Sequence, residues 1–206
     1  HWRVREIQTN IDAFAHFANN PYDDRSTADF YNNWLQKTTG LKNTAELSGA
    51  LADIDQNRYL WSIWSPEFYP YDTNWGQITS QQKEKINNIL QEISQLSISN
   101  AKNNEYRTWL RLKFEFILLL DEVSGKMTPA YELKQKTLLE NYKPTKNDIT
   151  QACESFRDAP IQKLFETYGR SVTDRTEMGV LCSLNQKLYN FYLDLDNFLT
   201  TQKNIE

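Results

Sequence analysis

Between Met178 and Leu199 apolar side chains return every three or four positions: Met178, Leu181, Leu188, Tyr192, Leu195 and Leu199, with Asn185 the polar member of the row. Because a helix turns once per ~3.6 residues, this spacing draws one stripe along one side of a helix. A stripe sustained over about three heptads is a packing seam. It predicts a long last helix, N-capped by Thr173 or Asp174, that packs as one member of a bundle rather than as an intermolecular coiled coil. Only 6 Gly and 6 Pro occur in 206 residues, which excludes collagen-like and low-complexity classes and disfavours a many-turned all-β fold.

The rest of the chain carries the same period. Val4, Ile7, Ile11, Phe14, Ala15 and Ala18 predict an amphipathic helix over 3–19, ended by Asn19-Asn20-Pro21. Ser26 or Thr27 caps a second helix with an aromatic face of Phe30, Tyr31 and Trp34, and Gly40 stands where a left-handed C′ residue belongs. Thr44 begins a third, with Leu47, Leu51 and Ile54 inward; Ser80 opens a fourth, with Ile86, Ile89, Leu90, Ile93 and Leu96 inward. A central helix is expected over 103–124 and stopped at Gly125, followed by a separate helix over 129–142 with Pro129 in its first turn. Thr145 starts a further helical region that Pro160 kinks or divides before Gly169. The expected architecture is all-α, an irregular antiparallel bundle of about seven or eight helices in a single domain over 1–206, with a soft boundary near residue 78. No repeat of solenoid period stands out.

Charge and motif content remove several function classes. Lys plus Arg number 23 against 27 Asp plus Glu, so a net charge of −4 argues against coating nucleic acid or an anionic membrane. No run approaches the ~18 apolar residues of a membrane span; Phe114–Leu120 is interrupted by Glu115 and stopped by Asp121 and Glu122, which mark its exit to water. Two His and two Cys in no ligand spacing make a metal site improbable, and neither a phosphate-cradling glycine loop nor a GxSxG elbow is present. No cofactor is implied. Asp194 and Asp196 point to different faces of their helix and form no dyad. Glu67, among aromatic neighbours, is a loop carboxylate capping a turn or a desolvated acid of raised pKa. Cys153 and Cys182 are two apolar-face thiols, or a pair if their helices are neighbours.

One stretch breaks the period. Residues 58–76 read RYLWSIWSPEFYPYDTNWG, with Trp61, Trp64, Tyr69 and Trp75 among its rings and two prolines, so an ordered loop is expected. Such rings act as buried glue, as a platform for a sugar or peptide, or as a patch that docks another domain. The N-terminus is also rich: His1-Trp2-Arg3-Val4-Arg5-Glu6 sets a ring, two guanidiniums and a carboxylate before a helix, as at the exit of a strand in a longer protein. With no initiator Met and no leader, the chain is expected to be processed or a piece of something longer.

On these residues a resemblance appears. HWRVREIQTNIDAFAHFA is similar to the His-Trp-Arg-x-Arg-Glu-Ile segment and following amphipathic helix near the end of the catalytic barrel in bacterial TIM-barrel glycoside hydrolases. STADFYNNW resembles the Thr-Ala-x-x-Phe-Tyr-x-x-Trp start of the helical extension after that barrel, and Arg175–Leu181 through Asn185-Gln186 resembles a motif late in it. Hexosaminidase-like and alpha-glucuronidase-like enzymes are the relatives suggested, over roughly the first 40 and last 35 residues. The resemblance implies a helical C-terminal domain packed on a catalytic barrel of the same polypeptide. It also implies an oligosaccharide in reach, with Trp2, Arg3 and Glu6 nearest the sugar, and a periplasmic or cell-surface location. The catalytic carboxylates would lie on earlier strand ends, and a chain of 206 residues cannot also hold a barrel of about 250. No catalytic residue is therefore expected here. The first helix is expected to expose a face less polar than usual, where the barrel covers it.

Overall fold

Side-chain hydroxyls set the helix starts. Ser26 Oγ accepts the Asp29 N–H at 3.1 Å and starts α2 (Thr27–Trp34). Thr79 and Gln82 exchange bonds in a capping box ahead of α4 (Ser80–Gln95), and Thr145 and Asp148 do the same ahead of α6 (Lys146–Arg157). The computed structural model describes residues 4–57, 75–97, 100–173 and 175–205, and their fold is an all-α helical bundle. The other helices are α1 (Val4–Asn19), α3 (Ala45–Asn57), α5 (Ala101–Leu139), α7 (Ile161–Ser171), α8 (Arg175–Leu184) and α9 (Asn190–Ile205). One-turn π-helical segments, Leu35–Thr39 and Asn185–Tyr189, extend α2 and join α8 to α9. Among the described residues the only β pairing is a single bridge, Lys42 to Ser97.

The helices gather into two compact units. One takes in α1 to α3, Thr79–Glu115 and Arg170–Gly179; the other takes in the stretch ending at Ile78, Phe116–Gly169 and the chain from Val180 onward. The first has its core in Leu35, Leu41, Leu47, Ile86, Ile89, Ile93 and Leu112. Its tightest turn is at Gly40, whose φ of 70° closes the π segment while its N–H donates to Gln36 O at 3.0 Å. The fully buried Asn103 donates from Nδ2 to Thr39 O at that turn. The second unit centres on Ile117, Leu120, Val123, Met127, Leu164, Tyr168, Leu188 and Leu195, with Phe116 edge-on to Tyr168 at 5.0 Å.

Two expectations are corrected. The helices read as 103–124 and 129–142 are one 39-residue helix that runs through Gly125 and Pro129. Pro129 removes the bond to the carbonyl four residues back, which belongs to the exposed Gly125, so the acceptor left without its donor is open to solvent. On the opposite face Val123, Ser124, Met127 and Ala130 stay buried without a break, and that burial outweighs the proline. The stripe of the last helix also differs. Met178 is 53% exposed and Asn185 is exposed, while Glu177, Leu184, Leu188, Phe191, Leu195 and Leu199 face inward. The π segment inserts a residue between α8 and α9 and shifts the seam before it by one position, so that Leu184 rather than Asn185 is buried.

Candidate functional site

Over residues 8–19, α1 turns several apolar side chains to solvent and polar ones to its neighbours. The side that meets α2 is largely polar. Trp34 donates from Nε1 to Asp12 Oδ2 at 2.7 Å, and Gln8 donates to the same carboxylate at 2.8 Å. His16 Nε2 lies 2.6 Å from Asp23 Oδ2, whose carboxylate also takes the Arg25 guanidinium at 2.7 Å. The Arg25 side chain, then His16, hold Asp23 well below the usual carboxylate range. Phe17 adds a tilted contact on Phe30 at 5.6 Å. Over the described side chains the apolar row of α1 faces water: Ile11 is 48% exposed, Phe14 79%, and Ala15 and Ala18 are exposed, with Tyr22 98% exposed just beyond the helix end. Taking ~150–250 Å² for each aromatic side chain, Phe14, Tyr22 and Ile11 leave on the order of 450 Å² of apolar surface in water. Contiguous apolar surface of that extent on a monomer is often functional.

The expected site residues distribute as follows. Trp2, Arg3, Trp61, Trp64 and Tyr69, with the rest of the aromatic stretch up to residue 74, lie outside the described residues. Glu6 lies in α1. Trp75 is buried: its ring meets Phe191 edge-on at 5.8 Å, Phe191 meets Tyr131 at 5.6 Å, and its carbonyl accepts the Ser124 hydroxyl. Of the three roles open to these rings, Trp75 fills that of packing glue. Asp121, read as a helix exit to water, instead accepts the Ile78 N–H at 3.0 Å in mid-helix. Cys153 is buried and Cys182 exposed, both as free thiols.

One charged cluster was not anticipated. Glu177 and Lys113 are both buried, with Nζ 3.2 Å from Oε1. The same Oε1 accepts Trp109 Nε1 at 3.0 Å, while Oε2 accepts the Thr173 N–H at 2.6 Å and its hydroxyl at 2.8 Å. Burial pushes the Glu177 carboxyl up. The Lys113 charge, the Thr173 backbone, the Trp109 indole and the Thr173 hydroxyl outweigh it and hold it below the usual range. The signal was available in part: Lys113 follows Trp109 by one helical turn inside an apolar run, and Glu177 stands at the third position of α8.

Among the described residues, no group of His, Cys, Asp and Glu is placed to hold a metal ion. No described helix is long and apolar enough to cross a membrane. A polar groove of about 380 Å³ between α3 and α4 is lined by Glu46, Gly49, Ala50, Asn88, Gln91 and Glu92, without an aromatic ring. Comparison with protein-family models, with curated proteins and with solved structures finds no match to this chain.

Proposed function

We propose that the chain is the non-catalytic helical domain of a carbohydrate-active glycoside hydrolase, packed through α1 on the catalytic barrel of the same polypeptide. The observation that supports this is the outward row of Ile11, Phe14, Ala15 and Ala18, continued by Tyr22. A helix that turns polar groups to its own core and rings to water is built to be covered. The row carries no charge, so it suits an apolar protein face rather than a nucleic acid or a basic peptide. The resemblance of His1–Ala18 to the end of a hydrolase barrel supplies the identity of the covering domain, and with it an exported location. Its role is to hold the barrel and extend the rim of the sugar cleft, with bond cleavage left to carboxylates on the barrel.

Two measurements test it. The coding sequence upstream of His1 is expected to encode an alternating strand–helix region of about 250 residues with acidic residues at strand ends. The 206-residue chain alone is expected not to hydrolyse aryl hexosaminides or glucuronides. Turnover by the isolated chain that disappears when one of its own acids is changed overturns the proposal, as does an upstream region of any other class.

A further inference from the structure

The corner between α5 and α6 lies in the second unit. Six consecutive residues, 138–143, are exposed there, Leu138 by 61%, Leu139 by 76% and Tyr142 by 39%. The corner is tied down. The Glu140 and Tyr142 N–H groups donate to Lys136 O at 3.1 and 3.2 Å, around Asn141 with φ of 52°, and close the end of α5 as a left-handed cap does. The Tyr142 hydroxyl donates to Asp148 Oδ2 at 2.7 Å, and the same oxygen accepts the Thr145 N–H at 2.8 Å that boxes the start of α6. A structured turn therefore holds two adjacent leucines in water, where single exposed apolar residues would need no explanation. Charge frames them. Lys136, Lys143 and Lys146 are exposed on the two sides of the corner, against Glu140 beside the leucines. The Asp148 charge is met by Thr145 and Tyr142, with Lys136 adding to the attraction, and Lys134, further back on α5, is bound to Asp194.

We infer that this corner rests on an anionic lipid surface, with Leu138 and Leu139 entering the headgroup boundary and the three ammoniums among the phosphates. A run of consecutive exposed residues at a helix-to-helix turn is convex. It offers a partner protein no groove, whereas a bilayer yields around it. Each residue type suits one depth. Leucine gains by leaving water, the amphipathic tyrosine ring sits at headgroup level, and lysine stems follow apolar surface while their charges stay with the headgroups. Each lysine so placed strengthens binding by about five-fold, and each leucine by about ten-fold. The net charge of −4 repels the rest of the chain from such a surface, so contact is confined to the corner and the field turns the molecule to present it. This is contact at one point, not a coat, and no described helix crosses the bilayer. It does not depend on docking through α1, which belongs to the first unit.

Cosedimentation of the whole chain with vesicles tests this. At millimolar lipid and low salt, the chain is expected to bind phosphatidylcholine vesicles containing about one-third phosphatidylglycerol at least about ten-fold more tightly than vesicles of phosphatidylcholine alone. Leu138→Ser/Leu139→Ser is expected to weaken that binding at least about ten-fold. Lys136→Gln/Lys143→Gln/Lys146→Gln is expected to weaken it about 100-fold and to remove its salt dependence. Lys102→Gln, an exposed lysine of the first unit, should change nothing. These variants alter exposed side chains alone, so circular dichroism should show their helices intact. Equal binding to both kinds of vesicle, or none to either, overturns the proposal. So does binding that survives the leucine change, which is attraction to lysines without entry. Absent vesicle binding together with self-association that Leu138→Ser/Leu139→Ser abolishes in sedimentation velocity assigns the corner to a protein contact and overturns it equally.

Discussion

Gly40→Ala should be among the most damaging single-methyl additions in the chain, and the structure says by how much. The residue has φ of 70°, where an alanine costs about 1–2 kcal/mol. The added Cβ would stand 2.7 Å from Asn103 Nδ2, closer than any real contact. Asn103 is fully buried and that nitrogen donates to Thr39 O, so moving it breaks a buried bond, at about 1–3 kcal/mol. The sum is about 2–5 kcal/mol, and for a chain of this length each kcal/mol lowers the melting temperature by about 2–4 °C. Gly49→Ala is the matched control. It lies in α3 of the same unit, its new Cβ would meet nothing within 4 Å, and helix propensity alone should stabilise it by up to about 1 kcal/mol. Urea unfolding followed by far-ultraviolet circular dichroism compares the three proteins. Gly40→Ala within 0.5 kcal/mol of wild type, or a Gly49→Ala that destabilises, would refute the reasoning about the π-turn and its asparagine clamp.

Other substitutions read other parts of the account. Leu188→Ala empties a fully buried seam position and should cost about 2–5 kcal/mol in urea titration, whereas Met178→Ala, half exposed, should cost under about 1 kcal/mol. Because the folded Glu177 carboxyl is depressed, its stabilisation is present above the unfolded value of about 4.3 and is lost as pH falls through the lower folded value. Stability measured from pH 6 downward should therefore drop more steeply below about pH 4.3 in the wild type than in Lys113→Met/Glu177→Leu. A thiol reagent should modify Cys182 at once in the native protein and Cys153 only after unfolding; two fast thiols would contradict the burial of α6.

Much of the fold was legible in the sequence because amphipathic period and cap chemistry are local. Ser26, Thr79 and Thr145 start helices by bonds within three residues, and Ile86, Ile89 and Ile93 are buried as their spacing implies. Where the reading failed, a tertiary term overrode a local one. Pro129 lies inside a helix because the face opposite it stays buried from Val123 to Ala130. The π segment at Asn185–Tyr189 shifts the last seam by one residue, a shift no periodicity shows in advance, and it buries Leu184 where Asn185 was expected. In α1 the pattern gives an apolar side but does not say whether that side meets this chain or another, and here Asp12 and His16 take the inward positions. The buried Lys113–Glu177 pair joins residues distant in sequence, so neither half carries the sign of the other.

Hydroxyl-radical footprinting of Phe14 and Tyr22 tests most directly whether α1 is a covered face. In the 206-residue chain both rings should oxidise at the rate of free side chains, and Phe30 and Phe116 far more slowly. In the polypeptide that carries its neighbouring domain, oxidation of Phe14 should fall about five-fold or more, while Leu138 and Leu139, exposed elsewhere, stay unchanged. Phe14 equally reactive in both would contradict docking through this helix, and Phe14 protected in the chain alone would contradict the outward placement of that ring itself.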